Sequence, residues 1–97
     1  MHNITKKQTL NDLLGNVSLD DAARATMAVA DIIQNFPNQG VRLAAVCSAF
    51  VLAIELTGLN YSDSIGVSKN IIGHAQGRRP EFLAVQDYMA EEVFGAS

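Results

Sequence analysis

Apolar residues recur every three to four positions along most of the chain, and no stretch alternates with a period of two, so the pattern predicts helices and no strands. A short first helix is expected at 9–14, opened by Thr9 and stopped by Gly15, with residues 1–8 reading as a flexible arm ahead of a single helical domain, 9–97. Ser18 opens the second helix as its cap, with Asp20 and Asp21 in the first turn where the helix dipole favours negative charge, and Pro37 ends it. On that helix Leu19, Ala22, Ala23, Thr26, Val29, Ala30, Ile33 and Phe36 are expected to share the inward face.

The third helix has a different pattern. Asn38 caps it, Gly58 stops it, and it spans about 39–57. Between Val41 and Leu59 its only charges are Arg42 and Glu55, and apolar residues surround nearly its whole circumference, the mark of a helix buried on several sides. A fourth helix is expected from the Asn60 cap to residue 75 or 76, weakened by Gly66 and Gly73 by about 1 kcal/mol each relative to alanine, with Gly77 as its stop. Pro80 then suits the first position of a last helix, where Phe82, Leu83, Val85, Met89, Ala90, Val93 and Phe94 oppose Glu81, Asp87, Glu91 and Glu92. The fold expected is all-α, a compact bundle of four to five short helices with the apolar helix at 39–57 in the centre.

Composition adds a difficulty. The chain has 97 residues, 48% of them hydrophobic and 18% charged, and a folded chain of this mass still exposes roughly 5,400 Å². So few helices can hardly enclose the third one in a monomer, which points to a homodimer or higher oligomer. The alanine ridge Ala45, Ala49 and Ala53, with Leu52 and Leu56, is the expected contact. The uncharged run Leu43–Ile54 falls short of the ~20 residues a membrane span needs, so a core helix and no membrane partner are expected. No secretory signal is legible, and one cysteine excludes an internal disulfide; both suit a cytoplasmic protein.

A net charge of −3 argues against a nucleic-acid coat, although a local basic patch remains open. Cys47 has no His, Lys or Arg within a helical turn and reads as a buried small hydrophobe rather than a nucleophile. Glu55 lacks a second titratable group for acid–base work, and reads as an exposed edge residue or one partner of a structural pair. His2 and His74 are far apart and no metal-ligand spacing occurs; the glycines match no nucleotide-binding loop, so no cofactor is expected. What stands out is the stretch from Val67 to Pro80, where Lys69, Arg78 and Arg79 carry positive charge without a carboxylate among them. With His74, at the expected end of the fourth helix, they form a candidate site for an anion or an acidic partner.

Gly66-Val67-Ser68, Ile72 and Gly77-Arg78-Arg79-Pro80 resemble the recognition-helix stretch of the repressor-type helix-turn-helix family, over about 15 residues. That resemblance implies Lys69, Asn70 and His74 facing a major groove, with Arg78 and Arg79 on phosphates. The stretch from glycine to glycine is one residue short of the pattern, Gly73 replaces a helix-favouring position, and Asp63 sits where a small apolar residue belongs. The function expected is a non-enzymatic protein-interaction module. It would be a small accessory or inhibitor protein of the kind found in phages and other mobile elements, binding itself and an unidentified protein partner. A small DNA-binding regulator using residues 60–80 is the alternative.

Overall fold

The computed structural model describes residues 13–95, so the expected arm at 1–8 and most of the expected helix at 9–14 lie outside the described residues; residues 13 and 14 are helical. Four α-helices follow: α1, Leu19–Ile33; α2, Gln39–Thr57; α3, Tyr61–Ile72; and α4, Pro80–Tyr88, which runs into a π-helical turn, Met89–Val93. The fold is a small all-α one. Its single departure is a hairpin between α3 and α4, with β1, Gly73–His74, antiparallel to β2, Gly77–Arg78.

The helix starts follow local chemistry. Ser18 Oγ accepts from the Asp21 amide at 3.2 Å, Asn38 Oδ1 from the Val41 amide at 3.1 Å, and Asn60 Oδ1 from the Asp63 amide at 2.9 Å. Pro80 opens α4, and Gly58 closes α2 in the left-handed conformation at φ 71°. The last helix is less regular than expected. The Phe94 amide reaches the Met89 carbonyl at 2.8 Å, closing a wider i→i+5 turn.

The core lies between α1, α4 and the π turn. One cluster joins Ala23 to Phe82 and Val85, with Met27, Ile72 and Met89 against it; the next joins Ala30 and Ile33 to the fully buried Val93. Alanines on α1 let α4 approach closely. The inward face of α1 is therefore centred on Ala23, Met27 and Ala30, whereas Val29 and Phe36, expected inside, are exposed. Tyr88 Oη adds a polar tie to Asp31 Oδ1 at 3.0 Å.

Arg42, in the first turn of α2, joins the pieces. Its guanidinium donates to the Gln34 carbonyl at 2.8 Å, at the C-cap of α1, and to the Phe36 carbonyl in the turn that follows. It also donates to the Glu92 and Val93 carbonyls, at 3.2 and 2.7 Å, at the end of the π turn. The last carbonyls of a helix lack intrahelical donors and form the negative end of its dipole. One cation thus caps two C-termini, and Gln39 Nε2 adds a bond to the Gly95 carbonyl at 2.7 Å.

Two outcomes differ from the sequence expectation. α2 is peripheral in the single chain, not central: only Ile54 on it is buried. It reaches the core chiefly through Val46, which packs against the cluster of Ala30, Ile33 and Val93, while α1, α4 and the π turn bury most of one another's apolar faces. α3 ends at Ile72 rather than at 75 or 76, because Gly73 is extended and pairs with Arg78.

Arg42→Met is expected to destabilise the fold by about 2–3 kcal/mol, since it strips charge-assisted donors from two helix ends. Arg42→Lys should recover less than half, because an ammonium cannot fork across the same carbonyls; urea unfolding of the three proteins checks both. Ser64 is buried at 1% exposure and its hydroxyl has no partner. Ser64→Ala should therefore raise stability, by up to about 1 kcal/mol in the same measurement.

Candidate functional site

Two surfaces concentrate unusual chemistry: the outside of α2 and the hollow beside the hairpin. α2 turns inward only a narrow stripe at spacing four, comprising Arg42, Val46, Phe50 and Ile54. The rest of its circumference is open, with Val41 at 51%, Leu43 at 55%, Leu52 at 57% and Leu56 at 77% exposure. At about 100° per residue, Ala45, Ala49, Leu52, Ala53 and Leu56 fall within roughly one third of a turn. All five expected contact residues are exposed. Together with the exposed Val51, Ala44 and Leu43, they make the outside of α2 largely apolar, and exposed apolar patches of this kind mark interaction surfaces.

The expectation that this helix is too short to span a membrane and is buried in a core is also corrected. It has 19 residues and a mean hydropathy of 1.7, long and apolar enough to cross a bilayer by length and composition, and 6% of that window is buried. The twelve-residue count understated it because it stopped at Arg42 and Glu55. Neither charge ends the helix: Arg42 has its donors on carbonyls, and Glu55 lies near the C-terminus, where its Oε2 accepts from Tyr61 Oη at 2.7 Å.

The second surface is an open hollow of about 530 Å³ lined by Lys69, Asn70, Ile72, Gly73, His74, Ala75, Gly77 and Arg78. The hairpin register pairs Gly73 with Arg78 and His74 with Gly77, leaving Ala75 and Gln76 in the turn. His74 is consequently not at a helix end as expected. Its Nδ1 accepts from the Gln76 amide at 3.2 Å, tightening the turn. Gly77, at φ 129°, occupies backbone space that other residues rarely enter. Arg79 lies behind the hollow, with Nε on the Asn70 carbonyl at 2.8 Å and its own amide on the Ile72 carbonyl at 2.9 Å. The structure thus gathers Lys69, His74 and Arg78 around one space and places Arg79 as the strut that docks the hairpin on α3.

The helix-turn-helix resemblance does not extend to geometry. Gly66-Val67-Ser68 lies inside the continuous helix α3, so the turn that motif requires is absent. Lys69 and Asn70 sit on the last turn of α3 and His74 beyond it in the hairpin, so the three do not share a recognition helix. Cys47, expected to be buried, is exposed on α2. Among the described residues, no group of three or more His, Cys, Asp or Glu is placed to hold a metal ion. What the sequence reading missed is Arg42, whose partners are all backbone carbonyls. The chain matches no protein-family profile, no curated protein and no solved structure.

Both tyrosines of the chain report on these contacts. The Tyr61 phenol is raised above its usual value near 10, first by its hydrogen bond to Glu55; Tyr88 is raised first by burial and then by Asp31. A raised phenol favours the protonated, folded form, so this contribution is present below pH 10 and fades as the pH rises through the folded-state value. Spectrophotometric titration should show both phenols ionising late. Glu55→Gln should return Tyr61 toward 10 while leaving Tyr88 late.

Proposed function

We propose that this chain is a non-enzymatic interaction module that works as a homo-oligomer, with the Ala45, Ala49, Leu52, Ala53 and Leu56 side of α2 as the contact between copies. The observation that carries the proposal is the exposed apolar circumference of α2 around an otherwise closed core. Small residues at spacing four let two such helices approach, and a contact of this kind is satisfied by a two-fold axis.

A membrane crossing fits less well. α1 precedes α2 and α4 follows it, yet the two pack together through Ala23, Phe82 and Val85, so both ends of α2 are held on one side. α3, at 12 residues, is too short to bring the chain back across a bilayer. A cytoplasmic setting suits the exposed Cys47, which stays reduced there.

Ala49 is exposed, so a charge there is tolerated in the single chain and intolerable in an apolar contact. Size-exclusion chromatography with light scattering at tens of micromolar (roughly, the range where weak dimers populate) should give an oligomer for the natural chain. Ala49→Glu should give a monomer with unchanged helical circular dichroism. A monomeric natural chain, or an Ala49→Glu variant of unchanged mass, overturns the proposal; flotation of the natural chain with lipid vesicles shows a membrane as the occupant instead.

A further inference from the structure

We infer that the hollow between the end of α3 and the hairpin is a binding site for a phosphate monoester, independent of the α2 contact. The first ground is charge. In a chain of net charge −3, Lys69 and Arg78 both line this space. The one ion pair among the described residues is Arg24–Asp21, and no carboxylate described lies within 4.0 Å of either cation. Two cations that line one space without acidic partners both favour an anion placed there.

The second ground is the way Arg78 is held. Its Nε donates to Gln86 Oε1 from α4, which orients the guanidinium and leaves both terminal nitrogens without a hydrogen bond among the described residues. The guanidinium lies over Gly73: a Cβ at that position would stand 3.4 Å from Arg78 Nη1 and 3.0 Å from the Gly77 carbonyl oxygen. Gly73 is buried and has no room for a side chain, so the floor beneath the guanidinium is bare backbone. A fixed fork with free terminal nitrogens is the arrangement that grips an oxyanion bidentately. His74 also lines the hollow, its Nδ1 accepting from the Gln76 amide.

Magnitudes select the class of anion. Two cations balance the charge of about −1.5 to −2 on a phosphate monoester and exceed that of one carboxylate. A duplex is disfavoured. Proteins whose affinity rests on DNA contact about 6–10 phosphates, whereas this hollow neutralises about two charges, in a chain whose remainder is acidic. The volume, about 530 Å³, leaves room for the group that carries the phosphate, whether a nucleoside or a phosphorylated side chain. That shared chemistry, a terminal dianionic phosphate, is what the site recognises.

The test is a nuclear magnetic resonance titration of the full chain at low salt with inorganic phosphate, phosphoserine, a nucleoside monophosphate, acetate and a short DNA duplex. The result expected is saturable shifts at Lys69, Gly73, His74 and Arg78 with the phosphate probes, and a preference between phosphoserine and the nucleotide that identifies the carrier. Arg78→Gln should weaken binding by about tenfold or more, and Lys69→Gln by several-fold. The exposed Lys69 ammonium makes no hydrogen bond or ion pair among the described residues, so that variant keeps the fold, and Arg24→Gln should change nothing. Absence of saturable shifts at these residues overturns the inference. So does acetate binding as tightly as phosphate, or duplex affinity with a log–log salt slope steeper than about −4. Ala49→Glu should bind phosphate normally whatever its oligomeric state, which separates this site from the α2 contact.

Discussion

Four carbonyl groups at the ends of two helices converge on Arg42, and the arrangement of the other elements depends on how that guanidinium is satisfied. Gln34 and Phe36 bring the end of α1 to it, and Glu92 and Val93 bring the end of the π turn. Both are negative dipole ends, which would repel if brought together without a cation. With Arg42 between them, α1 and the C-terminal segment lie side by side, and Ala30, Ile33 and Val93 close into a dry cluster. The same bonds set the rotation of α2. Arg42 must face the core, so the residues at spacing four from it face inward too, and the remaining apolar circumference faces out.

What was legible in the sequence is what local chemistry decides. Ser18, Asn38, Asn60 and Pro80 mark helix starts because a cap needs a particular side chain within three residues of the amide it serves. That Ala45, Ala49, Leu52, Ala53 and Leu56 share one face of α2 was legible for a similar reason, since a common face follows from helical geometry alone. Arg42 was not. Its acceptors are backbone groups, which every residue owns and no letter of the sequence distinguishes, and two of them are more than fifty positions away or close to it.

The misreadings have one physical root, competition between a local preference and a contact made elsewhere. Apolar positions all round α2 say that water should be excluded from it, and are silent about whether the same chain does so. At Gly73 helix propensity is poor, but Gly66 is equally poor and stays helical. The difference is that Gly73 has a cross-strand partner in Arg78, while Arg79 ties its amide and guanidinium to the last turn of α3. The same tolerance of glycine within α3 removes the turn that the helix-turn-helix resemblance implied, and His74 moves from a helix end into a hairpin.

The reach of Arg42 along the chain also has a bearing on how the protein is made. Its acceptors at Glu92 and Val93 lie 50 and 51 residues downstream. At about 5–20 residues per second, Arg42 joins the growing chain roughly 3–10 s before those carbonyls exist. Until they are made and folded back, the inward stripe of α2, as well as its outward flank, is uncovered. A nascent chain in this state offers apolar surface on every side of one helix, so premature association competes with folding. Removal of the chain from Glu92 onward would make that transient condition permanent, leaving a cation beside α1 with half its acceptors missing.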